Sequence, residues 1–515
     1  MRFFLIGVLV LVSLFLRLYK LESIPVILNR DEAALAYNGY LLAETGRDEW
    51  GERWPLTLAS FGDYKLPGYP ALLAGIFTVV EPSDFWVRFP SAVAGSISII
   101  LVYLIARESK WNHWNSTLAA VIFAATPVFF FYSRIAFEAN VALLFFLAAL
   151  VAFYTSVAGS KRILIDVLGI IFWIAGALTY NTPLLLAPFL LPLFIVGRGL
   201  FQYKRWLFPV LSIVILSVVL FSSQARITSQ KSGVTIFSEE THVLAANEYR
   251  EQFSGLTQTL LGNKYVYYGI QMGKNTSAAF SPIFLVQKGG AHPLHQQPGF
   301  SHVTASVYIF GILGIGMAVK AAVYEYRKKG VRAFVRKSKT EALLLYVTFI
   351  SLIPASITVD APHATRSLLF FLCLVFASVY AVKLMQKNIG TLFLVVSVLL
   401  FGRYVTAYYE VYPTKQPALL QPGYQQVIQR VDESTRGPVA VVDPDGYHYI
   451  LTAWYTRMDA SEYFNTTIRQ QPNTIGFRYG EQVGRYHFIG SIEDRDLPEK
   501  VVLIWRENEW HIQTY

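Results

Sequence analysis

Four short stretches set ionisable side chains against long apolar runs, where a charge is costly unless it pairs or does chemistry. Asn29-Arg30-Asp31-Glu32 follows the first apolar run and leads into Ala33, Ala34 and Tyr37. Two adjacent acids there suit either the electropositive start of a helix or a functional role. Gly62-Asp63-Tyr64-Lys65-Leu66-Pro67 opens the next apolar stretch. Lys65 suits either a snorkelling anchor at headgroup level or a point charge for a phosphate, with Asp63 and Tyr64 beside it as candidate substrate contacts. Arg134 and Glu138 stand four residues apart where one apolar run gives way to the next. On a continuous helix they would share a face as an ion pair; in the functional reading Glu138 is a second acid facing Asp31 across a cavity and Arg134 a further cation for phosphate. Asp360-Ala361-Pro362-His363-Ala364-Thr365-Arg366 lies between two long apolar runs. His363 and Arg366 make it a candidate anion site for a phosphate or pyrophosphate.

No metal centre is assigned. His292, His295 and His302 fall in GGAHPLHQQPGFSH, but neither a cysteine nor a tight His-x3-His pair accompanies them, so a divalent metal stays open without being required. The one cysteine, Cys373, lies inside an apolar run, which excludes a disulfide scaffold and a cysteine-ligated metal.

The elements that position these residues follow from composition. Of 515 residues, 54% are hydrophobic and 15% charged, and the mean hydropathy is +0.41, whereas soluble chains are about 25% charged. A bilayer core about 30 Å thick takes roughly 20 apolar residues per helix. Such stretches stand at 3–20, 88–107, 115–133, 140–158, 163–180, 183–198, 206–222, 302–321, 341–358, 367–384 and 389–405. This predicts an α-helical polytopic membrane protein of about eleven transmembrane helices. The first run reads as an uncleaved anchor, since no small-residue cleavage site follows it. The apolar segment 66–82 carries Pro67 and Pro70 at its start and an uninterrupted apolar part, Ala71 to Val80, of ten residues. It reads as an interfacial or re-entrant helix on the outer side.

The excess of 44 Lys and Arg over 34 Asp and Glu marks cytoplasmic loops in so apolar a chain, not nucleic acid. With the N-terminus inside, the basic cluster from Lys320 to Lys339 is internal. The segments 21–87, 223–301 and 406–515 are then extracytoplasmic. The domain division is a membrane domain over 1–405 with outer loops 21–87 and 223–301, and a small C-terminal extracytoplasmic α/β domain over 406–515. Within that tail, PVAVVD (Pro438 to Asp443), YHFIG (Tyr486 to Gly490) and VVLIW (Val501 to Trp505) read as strands, with a helix around His448 to Tyr463.

The acidic pair after the first span, the Lys65 segment, RFPSAVAG (Arg88 to Gly95), SRIAFE (Ser133 to Glu138) and HATRSL (His363 to Leu368) together resemble one family over roughly residues 1–400. It is that of the polytopic GT-C glycosyltransferases of the protein O-mannosyltransferase and aminoarabinose transferase type. The chain has Lys65-Leu66-Pro67 where such enzymes often have Lys-Pro-Pro, and Glu138 where they often have Asp. The resemblance implies transfer of a sugar from a polyprenyl phosphate to a hydroxyl on the outer face of the membrane, usually with inversion. It implies Asp31 as general base with Glu32 in support, Lys65, Arg366 and His363 at the donor phosphate, and Glu138 as the second acid. Partners are the lipid-linked donor, membrane lipid and a hydroxyl acceptor on protein, glycan or lipid, and no nucleic acid. The alternative class is a transporter or flippase for a lipid-linked sugar, which would bury charge near the membrane midplane and often shows internal repeats. Here the charges gather at one face and no repeat is visible.

Overall fold

The computed structural model describes residues 2–60, 63–154, 161–189, 207–228, 235–337, 339–416, 420–472, 478–493 and 501–514. Apolar runs become helices because in hydrocarbon each backbone N–H and C=O must find its partner inside the segment. The chain starts with α1 (Arg2–Leu18), α2 (Arg30–Thr45), the hairpin of β1 (Leu58–Ser60) and β2 (Asp63–Lys65), and α3 (Gly68–Phe77). Then come α4 (Asp84–Glu108), α5 (His113–Ala124), α6 (Pro127–Tyr132), α7 (Glu138–Tyr154), α8 (Lys161–Thr179) and the short α9 (Thr182–Leu186). After α10 (Leu207–Thr228), three helices fill the long loop: α11 (Glu240–Glu251), α12 (Gly255–Leu260) and α13 (Lys264–Ala279). The bundle closes with α14 (Ala305–Lys337), α15 (Lys339–Ser356), α16 (Leu368–Lys383) and α17 (Lys387–Glu410).

Among the described residues four stretches, Asp84–Glu108, Ala305–Lys328, Thr365–Lys383 and Lys387–Glu410, are long and apolar enough to cross a membrane, and six shorter helices are apolar. Two expected spans differ. The run 115–133 is two helices, because Thr126 is extended, donates its hydroxyl to the Ile122 carbonyl at 2.6 Å and hands over to Pro127 at the first position of α6, where the missing proline N–H has no intrahelical acceptor to lose. Most of the run 183–198 lies outside the described residues. The basic stretch from Lys320 continues as helix to Lys337, so α14 runs about 50 Å and projects well past a hydrocarbon core. The segment 66–82 forms only the ten-residue α3, about 15 Å long and too short to cross.

The C-terminal part carries a six-stranded sheet in the order β4-β5-β6-β3-β7-β8. Its strands are β3 (Val439–Val442), β4 (Ile468–Arg469), β5 (Gly480–Val483), β6 (Tyr486–Ile489), β7 (Val502–Arg506) and β8 (Trp510–Thr514). β3 lies parallel to both β6 and β7, and the outer pairs are antiparallel. Its wholly apolar VAVV run suits a strand covered on both faces. α18 (Tyr424–Ser434) precedes β3. The expected single helix from His448 is two, α19 (His448–Tyr455) and α20 (Ala460–Thr466), split by a turn in which Arg457 takes a positive φ of 51°.

Hydrogen bonds tie the sheet-bearing part to the start of the chain. Trp454 Nε1 and the Tyr455 hydroxyl donate to Asp84 at 2.8 and 3.0 Å, Leu28 N donates to the Tyr455 hydroxyl at 2.9 Å, and the Tyr37 hydroxyl donates to the Met458 carbonyl at 2.9 Å. Buried Glu49 accepts from the Tyr449 and Tyr463 hydroxyls at 3.3 and 3.2 Å and pairs with Arg469 at 3.5 Å. The start of α4, the end of α1, all of α2 and the C-terminal sheet therefore gather at one end of the bundle. At the other end Thr340 reaches the Ser109 carbonyl and Lys383 lies over Trp111.

Candidate functional site

Two buried arginines build the platform for the acidic motif. The connection from α1 to α2 is irregular, so its carbonyls need donors. Arg88 supplies them to Leu21, Glu22, Pro25 and Ile27 at 2.8–3.4 Å. Arg134 supplies them to Leu16, Arg17, Tyr19, Lys20 and Ile24 at 2.8–3.2 Å. Arg134 is also caged by rings, with its guanidinium 5.0 Å from Tyr408 and 5.1 Å from Tyr409. Small residues let these parts close up: a Cβ on Gly95 would overlap the Ser133 side chain just before Arg134.

On this platform α2 starts with a capping box. Asn29 Oδ1 accepts from the Asp31 and Glu32 amides at 2.9 and 3.1 Å, and Glu32 Oε2 accepts from Asn29 N at 3.1 Å. Glu32 is completely buried and also accepts from Asn29 Nδ2 at 3.1 Å, from Arg88 Nε and NH2 at 3.0 and 3.4 Å, and from Ala136 N at 2.8 Å. It is thus turned into the scaffold. Asp31, one residue earlier and about 100° round the helix, faces the other way.

There Lys65 Nζ donates to Asp31 Oδ1 at 2.6 Å, with 7% of the lysine side chain and 30% of the aspartate accessible. The β1–β2 hairpin, in which Lys65 pairs with Leu58, delivers the lysine. Pro67 then caps α3, whose Gly68 presses so close to α8 that a Cβ would come within 2.8 Å of the Leu178 carbonyl oxygen. Although part of Asp31 stays open, its carboxyl sits deep enough for burial to push its pKa up; the charges of Lys65 and Arg30 and the Lys65 hydrogen bond outweigh this and hold it at about 2. Since that lies below the ordinary carboxylate value, the contribution to stability is present above about pH 4 and is lost as the pH falls towards 2.

A second group comes from far along the chain. Arg366 and His363 both reach Asp360, the histidine at 3.3 Å. The His363 ring lies 4.5 Å from that of His295, which stacks on His292 at 4.6 Å. Burial, with neighbouring positive charge, lowers all three imidazoles, His295 and His363 well below the usual value, so they are neutral at pH 7. His295 and Asp31 are near enough to act on each other's titration, which places this group beside the Asp31–Lys65 pair. Thr365 is held by the Tyr132 hydroxyl at 2.8 Å. Below Arg366 a cleft of about 30 Å³ runs between Tyr180, Thr182, Leu143 and Leu369. Among the described residues no group of three or more His, Cys, Asp and Glu side chains is arranged to hold a metal ion.

Of the residues singled out in the sequence, Asp31 and Lys65 are in contact and His363 and Arg366 share Asp360. Tyr64 stands next to Lys65 in β2, and Asp63 pairs in register with Ser60. Glu138 starts α7, half-buried, where its charge acts on Tyr180 and Tyr69. Arg134 sits between α6 and α7, off any continuous helix, and its NH1 and NH2 groups donate to carbonyls of α1 and the α1–α2 connection, with no ion pair to Glu138. The sequence reading gives Arg88 and Asp360 no role, and His295 only that of a candidate metal ligand. Arg88 was open to discovery, since an arginine inside an apolar helix needs a partner.

Residues 65–223 match a family model described as dolichyl-phosphate-mannose-protein mannosyltransferase. No curated protein matches the chain. Among solved structures, the apo oligosaccharyltransferase of Archaeoglobus fulgidus superposes with a TM-score of 0.54 at 16% identity over 88% of this chain. This chain spans 64% of that enzyme's length. ArnT from Cupriavidus metallidurans, solved bound to undecaprenyl phosphate, gives a TM-score of 0.40 at 14% identity, over 88% of this chain and 84% of that one. With its apolar helices and this fold the chain is a membrane protein, and by family model and fold it resembles the GT-C glycosyltransferases of the protein O-mannosyltransferase type.

Proposed function

We propose that the protein transfers a sugar from a polyprenyl phosphate to a hydroxyl acceptor at the extracytoplasmic face, with inversion and with Asp31 as general base. The observation that carries this reading is the Asp31–Lys65 contact at 2.6 Å beside the His363 and Arg366 group. A proton acceptor and cations for a leaving phosphate thus meet at one end of an apolar bundle. The acceptor oxygen bonds to the anomeric carbon while Asp31 takes its proton. The bond from that carbon to the phosphate oxygen breaks, and its electron pair leaves on the phosphate, stabilised by Lys65 and Arg366. A carboxyl held at about 2 is a feeble base. Drawing Lys65 onto the donor phosphate removes its main counter-charge, raises its pKa and so arms it only when donor is present. Leu143 and Leu369 beneath Arg366 give the start of the prenyl chain apolar surface to lie against. Glu138, beside Tyr180, stands near enough to the phosphate side to orient it. Glu32 and Arg134 fix the loop that presents Asp31. The C-terminal part, bonded to α2, shapes the approach for the acceptor.

Purified protein given a radiolabelled polyprenyl-phosphate sugar and acceptor is expected to release free polyprenyl phosphate. Movement of intact donor across vesicles without release would replace transfer with transport. Lys65→Ala and Arg366→Ala are expected to raise the donor KM at least about tenfold along with slowing the rate, since each removes a phosphate charge. In Lys65→Ala the acid limb of the pH–rate profile should also move upward, and an unmoved limb would detach Asp31 from the rate.

For orientation, the basic extension of α14 at the end remote from Asp31 goes to the cytoplasm by its positive charge. A cysteine in place of exposed Lys328 should stay unlabelled by an impermeant thiol reagent in intact cells. Labelling there would invert the assignment.

A further inference from the structure

We propose that a cavity of about 510 Å³ behind α2 binds a neutral saccharide and holds the chain of a glycan acceptor away from its reacting end. The acceptor half of this statement rests on the transfer reading; the binding half does not. The cavity is not at Asp31. Its wall includes Tyr37 and Tyr40 of α2, which lie about 240° and 180° round the helix from Asp31 and about 9 and 14 Å further along it. It is closed by the C-terminal part through Trp454 and Tyr455 of α19 and by the loops at Glu22 and Glu81, so it opens at the same end of the bundle as Asp31.

The wall chemistry selects the ligand. Trp454 and Tyr455 have their polar ends committed to Asp84, and the Tyr37 hydroxyl is committed to Met458. Half-buried Tyr40 brings most of the ring surface to this wall, 5.7 Å from the ring of buried Tyr37, and the largely covered Trp454 and Tyr455 back it. Flat rings of this kind pack the C–H face of a pyranose, an apolar body with polar edges. Opposite them stand Gln425, Gln426 and Gln429 of α18. The side chains of Gln425 and Gln426 make no hydrogen bond among the described residues. Each carboxamide offers a carbonyl acceptor and two N–H donors, the pattern that meets vicinal hydroxyls.

The charge excludes the other partners of the reaction. Among the described lining residues, Glu22 and Glu81 carry negative charge against one cation, Arg457, so the wall offers an anionic phosphate little. The amides and carboxylates make the cavity unsuited to a prenyl chain. About 510 Å³ lies within the range of small-ligand sites and takes two or so hexose units.

The test uses the full chain in lipid nanodiscs, because maltoside detergents carry a saccharide themselves. Isothermal titration is run with α-1,6-mannohexaose, β-1,4-xylohexaose and β-1,4-glucohexaose. At least one is expected to bind with a Kd in the millimolar range or below, and to bind at least about tenfold more weakly to Tyr40→Ala and to the double variant Gln425→Ala with Gln426→Ala. Asp31→Asn should bind it like the parent. Absence of binding by all three, binding that both cavity variants leave unchanged, or a Ser/Thr-rich decapeptide binding in a cavity-dependent way in their place, each overturns the proposal. Saccharide binding in a protein that releases no polyprenyl phosphate from any donor would sink the transfer reading and leave the cavity standing. Turnover with no saccharide binding would do the reverse.

Discussion

Asp31→Asn is expected to leave the protein folded and to slow transfer at least about 10²-fold, the scale of a lost general base. The side chain is isosteric, and the capping bond at this position runs from the Asp31 backbone amide to Asn29, so the helix start survives. The new amide oxygen can still accept from Lys65, but it cannot take the acceptor's proton. Donor affinity should hold or improve, because Lys65 no longer has a full negative charge to leave before it reaches a phosphate. The measurement is kcat and donor KM on protein whose melting temperature matches the parent. A kcat within a few-fold of the parent would remove Asp31 as base.

Glu32→Ala should produce a comparably large effect of a different kind. Glu32 and Arg88 are both wholly buried, with the carboxylate bonded to Arg88, Asn29 and Ala136. Breaking such a pair from one side leaves an uncompensated charge and costs about 3–5 kcal/mol. The expected result is a large drop in melting temperature and folded yield, with donor KM little changed in the fraction that folds. Glu32→Gln, which keeps the shape and a carbonyl oxygen for Arg88, should lose less than Glu32→Ala, whereas Arg88→Met should lose at least as much, because it also strips the donors from the Leu21, Glu22, Pro25 and Ile27 carbonyls. An unaltered melting temperature for Glu32→Ala would show that the pair holds nothing. As helix-start charges, Asp31 and Glu32 would each be worth only about 0.3–1 kcal/mol; for Glu32 the buried pair with Arg88 brings a reversal, making stability its main contribution.

The reason for this reversal bears on what a sequence can reveal. Local signals transfer well. Among the described residues the apolar runs are helical, three alternating or apolar segments in the tail are strands, and Asn29 with Glu32 spells a capping box. What depends on distant partners does not. Arg88 lies 56 residues from Glu32, and nothing in either motif names the other. Arg134 and Glu138 have ion-pair spacing, but that spacing assumes a continuous helix, and the chain turns between α6 and α7. Pro127 announced the neighbouring break and lost to the apolar run around it, since composition alone cannot tell one long helix from two short ones. His295 read as no more than a candidate metal ligand because its neighbours, His363 and Asp31, come from opposite ends of the sequence. The cavity behind α2 takes its wall from residues between 22 and 458, a grouping that exists only after the C-terminal sheet has docked.

The pairing of Lys65 with Asp31 and of Arg366 with Asp360 gives these cations built-in counter-ions. Chloride or free phosphate in the surroundings meets cations already satisfied by carboxylates fixed to the same scaffold, which act at a far higher effective concentration than a dissolved ion. Simple anions therefore have little to gain there. A phosphate delivered on a membrane-embedded chain comes at high local concentration too, with its tail already in place. Under the proposed transfer, such a site would discriminate by how an anion arrives as much as by what it is.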